Sequence, residues 1–131
     1  MAEPVPAGPP AREPAIRVTA MPADANAYGD IFGGWLMSLM DMAAGLIAAR
    51  HSHGRAVTVA MDGMQFHSPV HIGDEVSVYA ELVRTGRTSM TIQVETWARD
   101  RHRDDFRRVT RAHFTFVAID EDRKPRPLEA A

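Results

Sequence analysis

Asp41 is the residue in this chain whose chemistry and surroundings are most at odds. Between Ile31 and Ala49 every residue is apolar or small except Ser38 and Asp41. A packed helix over this stretch therefore carries one carboxylate into an otherwise apolar surface. Removing a carboxylate from water without partners costs several kcal/mol, so the placement marks Asp41 as a candidate base or nucleophile. Gly33 and Gly34 sit where that helix should begin. They offer a tight turn, a backbone that a ligand can approach, and unpaired amides able to hold an oxyanion. With Asn26 as an orienting group, the stretch NAYGDIFGGWLMSLMD holds the parts for adding water to a carbonyl. Each part also has a plainer reading. Asp41 can pair with Arg84 or Arg87, paired glycines are common turn punctuation, and Asn26 is by default a loop or capping residue.

These residues need a scaffold, and its pattern is readable. The helix is expected over residues 34–50, apolar on most of its circumference, with Ala43, Ala44, Gly45, Ala48 and Ala49 small enough for neighbouring backbone to come close. A mid-span aspartate argues against a membrane helix and for one wrapped by protein. Gly54 is the expected stop, with His51 and His53 near the negative end of the helix dipole. Those two histidines suggest a metal, yet no carboxylate or cysteine lies nearby, and a solvated helix end is the better account. Upstream, Ile16, Val18 and Ala20 alternate with Arg17 and Thr19 as a short strand does.

Beyond Gly54 the period changes from helix to strand. Val57, Val59 and Met61 form one apolar set, opposite Thr58, Ala60 and Asp62, with Asp62 expected to be buried and hydrogen-bonded. Further sets are Val76, Val78, Ala80 and Leu82; Met90, Ile92 and Val94; and Ala112, Phe114, Phe116 and Ala118. Residues 68–74, 85–87 and 100–105 read as connections, and His67 and His71, flanking Pro69, are marginal substrate-contact candidates. One long helix and four or five strands in short-linked succession give an α+β domain, an antiparallel sheet curled around the helix.

Composition narrows the function classes. The chain has 131 residues, 45% hydrophobic and 24% charged, enough for one core. A formal net charge of −2 argues against nucleic-acid binding through a basic face. The lack of cysteine excludes disulfides, thiolate metal sites and a cysteine nucleophile. Residues 1–14 carry Pro4, Pro6, Pro9, Pro10 and Pro14 without a basic or apolar signal region, so a disordered tail and a cytoplasmic location are expected. Residues 15–120 form the domain, and residues 121–131, with Pro125 and Pro127, read as a flexible tail.

Asn26, Gly29, Gly33, Gly34 and Asp41 match the Asn-x2-Gly-x3-Gly-Gly-x6-Asp pattern of hotdog-fold thioesterases. The blocks MPADANAYGDIFGGWLMSLMDMAAG, GRAVTVAMDGMQFHSPVHIGD, GRTSM and FTFVAID resemble bacterial YciA-type acyl-CoA thioesterases over residues 21–120. The resemblance implies hydrolysis of acyl-CoA to a free acid and CoA, a catalytic carboxylate at Asp41, and no cofactor. It also implies a homodimer as minimal unit, with tetramers or hexamers beyond. Many relatives carry histidine where this chain has Phe32, so that contact to the thioester is missing. An acyl-CoA binder without turnover and a hydroxyacyl-thioester dehydratase are the alternatives. The first would need an output domain, and the second usually wants a histidine near Ile31 and Phe32.

The phosphates of CoA call for cations. Arg87, Thr88 and Ser89, in the TGRTS turn, offer a guanidinium, hydroxyls and free amides, although an ordinary hairpin tip reads the same way; Arg55 is a weaker candidate. Helix geometry adds a constraint. Gly34 and Asp41 are seven residues apart, about 10 Å along the axis at 1.5 Å per residue. One thioester carbon cannot touch both, so base and oxyanion donors are expected to come from different chains.

Overall fold

The computed structural model describes residues 6–128. Five strands and one long helix run in the order β1 (Ile16–Thr19), α1 (Gly33–Ser52), β2 (Ala56–Phe66), β3 (Glu75–Thr85), β4 (Ser89–Arg99) and β5 (Phe106–Ala118), with a short 3-10 turn at Pro22–Asp24. The sheet is antiparallel throughout, in the spatial order β1-β3-β4-β5-β2, so β1 and β2 are its edges. The alternating sets expected from sequence on β3, β4 and β5 meet the helix. Val76, Val78, Ile92, Val94 and Phe114 pack with Leu36, Met40, Ala43, Ala44 and Ala48 in a single core. The small helix residues do what their size allows: a Cβ built on Gly45 would lie 3.7 Å from the Phe116 ring.

The helix is longer than expected at both ends. It closes not on Gly54 but on His53, whose φ of 55° is left-handed, while the Gly54 amide donates to Ala49 O at 3.3 Å. Both histidines there are exposed. Among the described residues no helix is long and apolar enough to cross a membrane.

β2 departs from its expected pattern. The expected core set Val57 and Val59 is 37% and 56% exposed, and nearly the whole strand is exposed. β2 is an edge strand with a neighbour on one side only, which leaves it open, and a bulge alters which residues face inward: Thr58 pairs with Phe116 but Ala60 pairs with Thr115, so the pleat resets within two residues. Thr58 thus faces the helix, and Asp62, pairing with His113, lies exposed on the outer face rather than buried.

The terminal segments are tied in where the sequence suggested fraying. Residues 1–5 and 129–131 lie outside the described residues. Residues 6–14 form no helix or strand, yet the Arg12 guanidinium lies 5.8 Å from the Tyr79 ring centroid. After Asp120 the chain turns back: Arg126 N donates to Ala118 O at 2.9 Å and Leu128 N to Arg87 O at 2.9 Å. The Arg126 guanidinium donates to Ile119 O at 2.9 Å and to Ser52 O at 3.0 Å. The acceptors are backbone carbonyls, which explains why side-chain patterning did not disclose them.

Candidate active site

The helix start is held by two loops. Ile31 N donates to Val70 O at 3.0 Å and Phe32 N to Asp24 O at 2.9 Å, tying residues 25–32 to the connection that follows β2. That connection is braced by Arg107, which reaches the near-buried Asp74 carboxylate and Pro69 O. His71 Nδ1 stands 3.6 Å from Asp30 Oδ1 with both side chains well exposed, and His67 is exposed; neither has been drawn toward Asp41 by a hydrogen bond.

Asn26 organises the loop. Its Oδ1 accepts the Tyr28 amide at 2.8 Å and the Asp30 amide at 3.1 Å, an Asx turn that leaves Nδ2 without a partner among the described residues. The sharp bend falls at Gly29, with φ of 85°, and not at the glycine pair. Gly33 and Gly34 are instead the first two helical residues, behind Phe32 as N-cap, and no side chain caps the helix. Their amides belong to the orphan donors of a helix start. Small size has a use at Gly33, where a Cβ would lie 3.3 Å from the Phe66 ring, whereas one on Gly34 would meet nothing within 4 Å.

Asp41 is half-buried, two turns further along the same helix. Its Oδ1 accepts a 2.6 Å hydrogen bond from Thr58 Oγ1. Among the described residues of the chain neither Arg84 nor Arg87 pairs with it. Thr58 is the residue the sequence reading missed. Alternation placed it opposite Val57 and Val59, and only the bulge turns it toward the helix. Asp41 and the glycine amides stay apart on one continuous helix, as the 1.5 Å rise requires.

The candidate CoA-binding residues gather at the far end of the molecule. Ala118 N donates to Thr88 O at 2.9 Å, and Ile119 N donates to Arg55 O at 3.0 Å. The 85–89 turn and Arg55 thus flank the end of β5, beside the helix C-terminus. Arg87 is exposed, and Thr88 and Ser89 are half-buried. An open groove of about 530 Å³ runs there, lined by Arg55 among others.

The thioesterase superfamily model matches residues 28–104, which include Gly33, Gly34, Asp41 and Thr58. The chain belongs to the thioesterase superfamily. It is similar to curated proteins along most of its length. It is 61% identical over 116 residues to an uncharacterized acyl-CoA thioester hydrolase of Zymomonas mobilis, covering 88% of this chain and 78% of the relative. It is 48% identical over 122 residues to the acyl-CoA thioester hydrolase YciA of Salmonella typhimurium, covering 91% and 92%. A hexameric thioesterase from Yersinia pestis superposes with a TM-score of 0.87 at 48% identity, covering 93% of this chain and 99% of that one. The superfamily fold in this chain is the hotdog, one helix wrapped by a five-stranded antiparallel sheet that does not close.

Proposed function

We propose that this chain hydrolyses acyl-CoA thioesters to a free acid and CoA, with Asp41 as the catalytic carboxylate. The observation that carries the reading is the half-buried Asp41 carboxylate, held among the described residues by Thr58 alone, on the central helix of a thioesterase-superfamily fold. Asp41 takes a proton from water as the water oxygen attacks the thioester carbon; direct attack by the carboxylate, through an anhydride, is the other route open to it. Charge that develops on the carbonyl oxygen is met by the Gly33 and Gly34 amides, with Asn26 Nδ2 orienting water or substrate. Collapse of the adduct breaks the carbon–sulfur bond and releases CoA thiolate, which takes up the proton. The close similarity to named acyl-CoA thioester hydrolases supports the substrate class. A dehydratase lacks support, because Phe32, 49% exposed, occupies the helix start where its histidine would be needed. A screen of acyl-CoA substrates with thiol release as readout tests the proposal, and no release from any of them would refute it.

Thr58 serves as the positioning residue for Asp41. Thr58→Val should lower kcat roughly tenfold, the order expected for losing one charge-assisted hydrogen bond, and Thr58→Ser should restore it. Equal loss in both variants would show that the hydroxyl does not act through Asp41. Arg87→Ala should raise KM for acyl-CoA more than it lowers kcat, since a remote phosphate contact is alike in ground and transition states. An unchanged KM with unchanged salt dependence would remove Arg87 from the site.

The active unit is a homodimer within a larger assembly. β2 is an eleven-residue edge strand, exposed on both faces, with Val57, Val59, Met61 and Phe66 open to solvent in the single chain. Such an edge invites pairing with a second copy. The similarity to a hexameric relative supports further assembly, and a cysteine-free chain acting on acyl-CoA suits the cytoplasm.

A further inference from the structure

We propose that Arg123 is a further CoA-binding residue that, with Arg55, holds the phosphorylated adenosine end of the substrate; the inference rests on the acyl-CoA reading above. Arg123 is exposed and has φ of 65°, in the left-handed region that costs a residue with a Cβ and costs glycine nothing. It sits in a turn built around Asp120. Arg123 N donates to Asp120 O at 3.0 Å and Asp120 N to Lys124 O at 2.8 Å, while Asp120 Oδ1 accepts the amides of Asp122 and Lys124. A glycine would complete this turn without strain, so the fold gives no reason for an arginine there. A strained residue that the surrounding structure enforces points to a role for its side chain.

The side chain has somewhere to act. Arg123 and Arg55 line the same groove of about 530 Å³, with Ala49, Val57 and Ile119 as apolar wall and Glu121 the carboxylate at its rim. The groove and the candidate catalytic pair lie along the same helix and strand: Ala49 of its wall is eight residues beyond Asp41, about 12 Å along the helix, and Val57 is the residue before Thr58. A pantetheine arm is long enough to bridge that separation. A helix C-terminus would ordinarily repel phosphate, but here the Arg126 guanidinium donates to Ser52 O at 3.0 Å and to Ile119 O at 2.9 Å, placing a positive charge on the negative end of the dipole. The same segment ties down the backbone of Arg55 and Arg87 through Ile119 N and Leu128 N. Arginines 55, 87 and 123 are thus presented from segments stitched to one another, next to an apolar wall able to take a purine. An aromatic base with several phosphates is the occupant that this combination fits.

The test compares kcat/KM for an acyl-CoA with that for the same acyl group on pantetheine, which lacks phosphates and adenosine, at low ionic strength. In Arg123→Gly the preference for acyl-CoA should fall roughly three- to tenfold, as for loss of one phosphate-facing guanidinium. The thermal midpoint should stay or rise, because glycine relieves the left-handed strain. Arg123→Asn, which also tolerates that conformation, should give the same fall. An unchanged preference in both variants overturns the inference and leaves the thioesterase reading standing. Absence of hydrolysis of both substrates by the wild-type protein would instead remove that reading, and the inference with it.

Discussion

Asp41→Asn is expected to lower kcat by roughly 100- to 10,000-fold, the range typical for loss of a general base, with fold and CoA affinity near wild type. The amide has almost the volume of the carboxylate, and its oxygen can still accept the hydroxyl of Thr58, which now stands 2.6 Å from Asp41 Oδ1. What the variant loses is the negative charge, hence the ability to take a proton from water or to attack the carbonyl. Steady-state rates on a good acyl-CoA substrate, thermal unfolding and calorimetric CoA binding together check the claim. Near-normal turnover in a folded variant would show that Asp41 is not the catalytic group. A matched fall in stability would instead make it a structural helix carboxylate. The half-buried position favours an unchanged fold, since partial solvent access lets the carboxylate persist without a cation and the fold does not depend on its charge.

The parts of this molecule that were legible in the sequence are those where side-chain period dictates the outcome. The apolar run from Ile31 to Ala49 gives the central helix, and alternation gives β3, β4 and β5, because each has one face on the core. Thr58 was hidden because a single bulge reverses which residues of β2 face the helix, and a bulge has no side-chain signature there. The glycine pair misled in a different way. Glycine serves turns, close approach and open backbone alike, and only the structure separates Gly29, which bends, from Gly33 and Gly34, which begin a helix. Asn26 illustrates a divided side chain: the loop role predicted by its type belongs to Oδ1, and the proposed active-site role is left to Nδ2. The phosphate end was legible only as isolated arginines. Arg55 and Arg87 are 32 residues apart in sequence, and what brings their segments together is a run of main-chain bonds from residues 118–128.

Mixing two inactive variants should restore activity if each active site is shared between chains. The geometry that demands this is the helix itself: Asp41 and Gly34 are about 10 Å apart along its axis, too far for one carbonyl carbon to meet base and oxyanion donors at roughly 3 Å each. β2 shows how a second copy can close the distance. The strand runs antiparallel to the helix, with Thr58 beside Asp41 and Phe66 beside Gly33. If two copies pair antiparallel through their free β2 edges about a two-fold at the strand centre, Met61, position 58 of one lies opposite position 64 of the other. Asp41 of one chain then comes level with the region of the second that carries Phe66 and the glycine amides. Asn26→Asp and Asp41→Asn suit the test, because the first keeps the acceptor for the Tyr28 and Asp30 amides while replacing Nδ2. Co-refolded in equal amounts, they should recover about a quarter of wild-type activity, since half the dimers are mixed and each mixed dimer has one intact site. Wild type refolded with the double variant should also give about a quarter for shared sites, against about a half if each chain is self-sufficient. No recovery in the first mixture and half activity in the second, with mixed dimers verified by native mass spectrometry, would place the whole site within one chain.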